Sequence, residues 1–134
     1  MPNETLRSLT VSAAHATIAL VDRLPRRMAF FKIGTQLFDS GTSQAANYRA
    51  ADRAQSTRAL IAKMKIVEEE SDESEFWIDC LFVAKLPSAL HVEARTLQDQ
   101  FNQITRMTVA AIKTCRARLR AERENKDASR RRQK

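Results

Sequence analysis

Apolar residues recur at intervals of three or four along most of the chain, which is the spacing of one face of an α-helix. The pattern falls into four stretches, and proline lies at two of the breaks between them. Pro25 follows the first stretch and Pro87 follows the third, and each disfavours helix in the residue before it. The pattern therefore predicts an all-α fold, an antiparallel up-down four-helix bundle with short connections.

The four predicted helices differ in how clear their apolar rows are. The first spans Glu4 to Leu24 with Asn3 or Thr5 as its cap, the second begins near Arg26, and the third covers about Ser56 to Lys85. The fourth follows Ser88, a residue type suited to capping a helix start. Its row alternates steps of four and three, as in a heptad seam. The residues of this row are Leu97, Phe101, Ile104, Thr108, Ala111 and Cys115, and Leu119 continues it one step on.

Residues 40–56, SGTSQAANYRAADRAQS, combine two opposite signals. Four residues common in turns come first, and an alanine-rich, helix-forming sequence follows. On a continuous helix, Gly34 and Gly41 lie seven residues apart on one face, and Gly41 with Ala45 forms a step between small residues. Such a face lets a neighbouring backbone approach closely, at a cost of about 1 kcal/mol per glycine relative to alanine. The spacing favours a helix, and a turn at Gly41 is the alternative.

The composition agrees with helices and narrows the class of protein. The chain has 134 residues with two glycines and three prolines, so it is short of the residues that β-hairpins require. It contains no run of about 18 apolar residues and no secretory signal pattern, which argues against a membrane association. Cys80 and Cys115 lie far apart without C-x-x-C spacing, as expected in a reducing compartment. We therefore expect a cytoplasmic protein.

The net charge of +7 is concentrated at the C-terminus. Residues 1–112 carry 13 basic and 13 acidic side chains, whereas residues 113–134 carry ten basic and three acidic ones. Because the apolar row ends near Leu119, the sequence predicts a bundle over residues 1–119 and a basic, disordered tail over residues 120–134, with at most another turn or two of helix. The tail is the candidate site for RNA or DNA, through contacts to phosphates. The candidate residues are Arg116, Arg118, Arg120, Arg123, Lys126, Arg130, Arg131, Arg132 and Lys134.

The third predicted helix contains a run of carboxylates with no basic residue among them. Such a cluster can bind a divalent cation or act as an acid or base, but neither histidine has a spacing that completes such a site. Pairing with cations of the second helix and the start of the third, or with a neighbouring subunit, is the favoured interpretation, and a solvated face is the alternative. The carboxylates are Glu68, Glu69, Glu70, Asp72, Glu73, Glu75 and Asp79, and the cations are Arg49, Arg53, Arg58, Lys63 and Lys65.

The remaining candidates for chemistry favour structural roles. Tyr48 would suit stacking on a nucleic-acid base, but no other aromatic residue surrounds it, so we expect it to pack in the core with its hydroxyl bonded. Asn47 is expected to satisfy a buried polar group. Ser40 and its neighbours have no adjacent histidine to act as a base, and no Gly-rich phosphate loop is present. The sequence therefore predicts no catalytic residue, no metal site and no cofactor, and the protein is not expected to be an enzyme.

Three segments together closely resemble the bacterial four-helix bundle protein family, whose members were first noticed as proteins encoded in intervening sequences of large-subunit ribosomal RNA. The segments are IGTQLFDSGTSQAANYRAADRAQS, AKMKIVEEESDESEFWID and VAAIKTCRARL. The resemblance covers roughly Leu6 to Leu119. Residues that match the family motif, and for which a structural role is expected, include Gly41, Asn47, Tyr48, Arg49, Glu69, Asp72 and Glu73.

The resemblance implies a fold, an assembly and a class of function. It implies a helical bundle in which the small-residue stretch belongs to the second helix, and a ring-like homopentamer without established enzymatic activity. A structurally similar relative, the accessory protein of diversity-generating retroelements, is a pentamer that binds nucleic acid and a reverse transcriptase. The chain departs from the family at Gln44 and Ala45, where an apolar residue and a glycine are common, and in its Arg-rich extension. We therefore predict a nucleic-acid-associated accessory protein, with a protein-interaction scaffold as the alternative.

Overall fold

The computed structural model of the protein describes residues 4–134, and these residues form helices and no strand. Four α-helices are present, and a short 3₁₀ turn precedes the last of them. The elements are α1 (Glu4–Asp22), α2 (Met28–Ala51), α3 (Thr57–Val83), the 3₁₀ turn (Ser88–Leu90) and α4 (His91–Arg132). The prediction of an all-α protein with four helices is confirmed.

Each helix packs against its neighbours in the chain, and α1 also contacts α4. Two ion pairs show which helix ends lie together. Arg7, near the start of α1, pairs with Asp52, just after the end of α2, at 2.6 Å. Arg23, just after α1, pairs with Glu93 at the start of α4 at 2.7 Å. One end of the molecule therefore holds the start of α1 and the end of α2, and the other end holds the end of α1 and the start of α4.

Residues 40–48 lie inside α2, so the alternative of a turn at Gly41 is wrong and the continuous helix is confirmed. A Cβ atom added to Gly41 would lie 2.6 Å from Oγ1 of Thr17 in α1, which is closer than non-bonded atoms approach. A Cβ atom on Gly34 would lie 3.0 Å from Cδ1 of Leu24. The glycines therefore permit the close packing of α1 on α2, as the seven-residue spacing predicted.

The interior combines an apolar core with a few bonded polar groups. The side chains of Phe30, Tyr48 and Phe101 are among the largest that are fully buried. Gln44 is also fully buried, and its Nε2 atom donates to the carbonyl oxygens of Thr10 and Gly41 at 2.8 and 2.9 Å. These two bonds satisfy the donor hydrogens of the amide, whereas its buried Oε1 atom accepts no hydrogen bond from the described residues.

Not all of the predicted helix starts are correct. Asn3 lies outside the described residues, and Thr5 lies within α1 rather than at its cap. Ser88 does not cap α4, because the chain first forms the 3₁₀ turn and Leu90 takes the cap position without a side-chain bond. Ser56 caps α3, with its Oγ atom accepting from the amide of Ala59 at 3.1 Å.

The end of α3 depends on a backbone conformation that the sequence does not predict. Lys85 has a φ of 68°, in the left-handed region that glycine usually occupies. The amide of Leu86 donates to the carbonyl of Leu81, and the amide of Lys85 donates to the carbonyl of Phe82, each at 3.0 Å. These two bonds form a Schellman motif, which ends the helix before Pro87.

α4 is longer than the sequence predicted. It continues to Arg132 although every residue from 120 to 132 is exposed. The segment is rich in Ala, Arg, Glu and Lys, which form helices without burial. Glu122 lies one turn before Lys126, and Asp127 one turn before Arg131, an order that stabilises a helix by a few tenths of a kcal/mol per pair, about 0.2–0.5. Local propensity therefore extends the helix where packing has ended.

No helix among the described residues has the length and apolar character needed to cross a membrane. The two cysteines are free thiols. Cys115 is buried in the core, as its place in the apolar row of the fourth helix predicted, and Cys80 is half-buried.

Candidate nucleic-acid interface

The basic residues predicted to bind nucleic acid lie on the last part of α4. The core side of this helix ends with Cys115, which is buried, and Leu119, which is half-buried. Beyond that point α4 extends away from the core by about 20 Å to Arg132, at 1.5 Å per residue. All nine predicted residues are exposed, and all except Lys134 are within the helix. They are Arg116, Arg118, Arg120, Arg123, Lys126, Arg130, Arg131, Arg132 and Lys134.

Several of these cations form a stripe along one face of α4. The stripe follows alternating steps of three and four residues, so its members lie one above another on the helix surface. It includes Lys113, which the sequence analysis did not select, and it is interrupted by Asp127, whereas Arg118 and Arg132 lie on other faces. The members of the stripe are Lys113, Arg116, Arg120, Arg123 and Arg130. A linear row of guanidinium groups suits the repeated phosphates of a nucleic-acid strand.

The start of α3 contributes a further cation to this surface. The hydroxyl of Thr57 donates to a carboxylate oxygen of Glu122 at 3.2 Å, so the first turn of α3 lies against the extension. Arg58 lines a groove of about 570 Å³ together with Arg123 and Lys126. Arg58 was not predicted as a binding residue, because only the alignment of α3 and α4 along the bundle axis brings it beside the extension.

The same end of the molecule holds three more arginines. Arg49 and Arg53 lie in and just after the last turn of α2, and they line a cleft of about 840 Å³ together with Arg7 and His15. Arg7 is paired with Asp52. The positive charge of this end is therefore not confined to the extension that the sequence singled out.

The carboxylate run of α3 is paired differently from the prediction. Lys65 contacts Glu68 at 3.5 Å, which confirms one predicted partner. Asp79, however, pairs with Arg95 of α4 at 3.2 Å, and Glu75 accepts a hydrogen bond from Asn102 of α4 at 3.2 Å. The neutralising partners lie on α3 and α4, because α4 is the helix that packs along this side of α3.

The predicted pairing of this run with the arginines of the second helix and the start of the third is wrong within the chain. Among the described residues, no ion pair joins a carboxylate of α3 to Arg49, Arg53 or Arg58. All three arginines are exposed, as are Glu69 and Asp72. The two sets of opposite charge therefore occupy separate surfaces of one molecule.

Like charges remain close together within the acidic run. Partial burial raises the pKa of Glu70, and the neighbouring charges of Glu73, Glu69 and Asp39 raise it further. Partial burial also raises the pKa of Glu75. Among residues 4–134 no group of three or more His, Cys, Asp or Glu side chains is arranged to hold a metal ion. The run is thus a region of excess negative charge.

The residues that match the family motif divide between the interior and the surface. Tyr48 is only 1% exposed, so it packs in the core as predicted and its ring is not available for stacking on a base. Asn47 is half-buried, and its Nδ2 atom donates to the carbonyl and Oγ of Ser43 at 2.9 and 3.1 Å. It therefore bonds within its own helix rather than to a buried group of another one. The surface members are Arg49, Glu69, Asp72 and Glu73, all exposed.

Comparison with known proteins relates the chain to one family through structure. No protein-family model matches the sequence, and no curated protein matches it. A similar solved structure is that of a protein with unknown function from the S23 ribosomal protein family of Bacteroides thetaiotaomicron. The two structures superpose with a TM-score of 0.72 and 25% sequence identity, over 81% of this chain and 98% of the other. The chain thus has the same helical fold as a member of that family, and part of it has no counterpart there.

Proposed function

We propose that the protein is a nucleic-acid-associated accessory protein, built as an antiparallel up-down four-helix bundle and assembled as a ring-like homopentamer. The observation that carries the nucleic-acid role is the basic extension of α4, an exposed helix whose cations are aligned in a stripe and joined by Arg58. Residues 1–119 are the bundle and residues 120–134 the binding segment. RNA or DNA binds through its phosphates.

The fold and the family relationship have separate support. Arg7–Asp52 joins the start of α1 to the end of α2, and Arg23–Glu93 joins the end of α1 to the start of α4, as expected for helices that run antiparallel. The sequence motifs resemble the bacterial four-helix bundle family, and that resemblance is the ground for proposing a pentamer. The likeness to an S23 ribosomal protein family structure supports the helical fold. The protein acts by binding rather than by catalysis, and its two free thiols suit the cytoplasm.

Assembly would strengthen the binding of an otherwise weak site. A single extension presents a few exposed cations, and each exposed contact to a phosphate contributes little in physiological salt. Several extensions on one oligomer would engage the same strand, so that each further contact forms at a high effective concentration. We expect nucleic-acid binding that is tight in low salt and independent of the base sequence, because phosphates carry no sequence information.

Deleting residues 120–134 tests the role of the extension. Affinity for a fluorescent single-stranded RNA and for a duplex DNA is measured by anisotropy over a series of salt concentrations. Full-length protein should bind both with a log–log salt slope of about −0.7 per phosphate contacted on the single strand and −0.9 on the duplex. The truncated protein should lose at least tenfold in affinity while its oligomeric mass changes only by the deleted residues. Equal affinity of the two proteins would refute this role.

A pair of substitutions separates the stripe from total charge. Arg120→Gln with Arg123→Gln removes two cations from the stripe, whereas Arg118→Gln with Arg132→Gln removes two from other faces. The stripe variant should weaken binding more and reduce the salt slope further. Equal effects would mean that only the net charge matters. A protein that co-purifies from lysate after nuclease and high salt, with no binding to either nucleic acid, would favour the scaffold function instead.

A further inference from the structure

An apolar groove is exposed between α1 and α2. Val11 and Ile18 lie seven residues apart on α1, and Phe31 and Phe38 lie seven apart on α2, so each pair shares one helix face. Their exposed fractions are 42, 44, 68 and 40%. Phe31 and Phe38 also line a pocket of about 610 Å³ with residues at the end of α1. Large apolar side chains grouped in this way mark a surface that a partner covers.

The groove changes from apolar to cationic along its length. Val11 lines the cleft that also contains Arg7, Arg49 and Arg53, so the arginines surround the end of the groove farthest from Phe31. Arg49 and Arg53 are exposed, and neither is in an ion pair with a described residue. A partner that fits this α1/α2 groove would need an apolar half and an acidic half in the same order.

The outer face of α3 has this composition. Glu69, Phe76 and Val83 follow one another at seven-residue intervals, so they form a row on the helix surface. Phe76 is 56% exposed and Val83 is 84% exposed. Asp72 and Glu73, also exposed, flank the acidic part of the row. The outer face of α3 therefore carries charge opposite to the arginines at one end and exposed apolar side chains at the other.

The heights of these two surfaces match along the helix axes. The hydroxyls of Ser40 in α2 and Ser74 in α3 lie 2.8 Å apart, so these residues are level in one molecule. Because α2 and α3 run antiparallel, a residue that follows Ser40 by a given number of positions lies at the same height along the axis as the residue that precedes Ser74 by that number. Phe38 is then level with Phe76 and Phe31 with Val83, and the same counting places Ala45 level with Glu69.

Within one molecule these side chains cannot meet, because Phe38 lines the pocket at α1 whereas Phe76 lies on the outer face of α3. A second copy rotated about an axis parallel to the helices keeps every residue at its height. Its Phe76 would face Phe38, and its Glu69 would lie one helical turn, about 6 Å along the axis, from Arg49. That distance is within the reach of an arginine side chain.

We propose that the α1/α2 groove of one copy receives the outer face of α3 of a second copy. The inference rests on the assembly proposed above and names its interface. The contact joins two different surfaces, so it repeats head to tail and closes into a ring when the rotation permits. It also brings arginines close to Glu69, Asp72 and Glu73, which form no ion pair with an arginine among the described residues.

Substitutions on the two surfaces test the interface. Phe38→Asp and Phe76→Asp place a charge on either side, and Val92→Asp is the matched control, because Val92 is 81% exposed on α4 and belongs to neither surface. Mass is measured by light scattering or sedimentation, with circular dichroism to confirm that each exposed-site variant is folded. Wild type and Val92→Asp should be oligomeric, and each phenylalanine variant should raise the dissociation constant at least tenfold.

A charge exchange shows whether the two surfaces face each other. Arg49→Glu and Glu69→Arg should each weaken the oligomer, and the double variant should recover its mass. Recovery of the oligomeric mass in the double variant supports the interface, because two charges that do not face each other would weaken the oligomer additively. An oligomer that withstands both phenylalanine variants would overturn the interface and leave the proposed assembly intact. A monomeric wild type would overturn both, whereas the nucleic-acid role is tested separately by the truncated protein.

Discussion

The two halves of α4 are one continuous helix held by different forces. In the first half, His91 to Leu119, a buried side chain returns every three or four residues and packs on α1 and α3. In the second half, residues 120–132, no side chain is buried. Packing stabilises the first half. The second half is stabilised by the helix propensity of its residues and by its attachment to a helix that has already formed. Periodicity in the sequence therefore predicts where packing ends, and it does not predict where the helix ends.

This difference suits the two halves to different tasks. A helix of this length is marginal in water by itself, because nucleation is unfavourable, but extending a folded helix avoids that cost. The extension can therefore bend or unwind without loosening the core, as binding to a nucleic-acid strand, if it has the proposed function, would require. The packed half cannot change shape without opening the interior.

A matched pair of proline substitutions should give the largest contrast between the halves. Ala110 and Ala128 are both exposed alanines in α4, so neither substitution removes a buried side chain. Ala110→Pro should lower the free energy of unfolding by about 3 kcal/mol or more, because it breaks a packed helix. Ala128→Pro should change it by less than about 0.5 kcal/mol. Urea unfolding followed by circular dichroism measures both, and a similar loss in the two variants would contradict the division of α4.

The packed half also shows how well a heptad row predicts a core. Leu97, Phe101 and Ile104 are buried as the row predicted. Farther along, Ile112 is buried, whereas Ala111, the predicted member, is only half-buried. A straight helix has 3.6 residues per turn, so a row drawn at 3.5 drifts away from the core over several turns. The error is therefore one of helix geometry.

The close contact of α1 with α2 should be the next most sensitive feature, and the extension has nothing like it. Gly41→Ala would bring a Cβ atom to 2.6 Å from Thr17 Oγ1, and Thr17 is buried and bonded to the carbonyl of Ala13. Overpacking costs about 1–3 kcal/mol, against a gain of about 1 kcal/mol in helix propensity. Thermal and urea unfolding should show a net loss of up to about 2 kcal/mol in the free energy of unfolding.

Two companions of Gly41→Ala identify the cause of that loss. Gly34→Ala has the same propensity gain but meets only the flexible end of Leu24, at 3.0 Å, so it should be neutral or slightly stabilising. Thr17→Ala combined with Gly41→Ala removes the atoms that clash and should recover part of the stability. A loss in Gly34→Ala as large as that in Gly41→Ala would show that the glycines matter for another reason.

The candidate sites were harder to predict than the fold, because they depend on which residues of different helices lie at the same position along the bundle axis. The stripe on α4 follows from spacing within one helix, and most of its members were selected from sequence. Arg58 joins that surface because of how α3 and α4 are aligned along the bundle axis. The helix arrangement likewise leaves Arg49 without an ion pair to the carboxylates of α3. No pattern within a single segment carries that information.

The smallest expected effect concerns the charge of Glu70, which lies on α3 within the bundle. The pKa of Glu70 is raised by burial and by its acidic neighbours, so the folded protein binds its proton more tightly than the unfolded chain does. Its contribution to the free energy of unfolding therefore falls as pH rises through the unfolded and then the folded pKa, from about 4.3 upward. Glu70→Gln should raise the free energy of unfolding at pH 7 by at most about 0.5 kcal/mol. The gain should vanish near pH 4, because the carboxyl group is then largely protonated. Glu124→Gln removes the same charge from an exposed position of the extension, and it should leave urea unfolding unchanged at both pH values. A gain for Glu70→Gln that persists at pH 4 would point to packing rather than to charge.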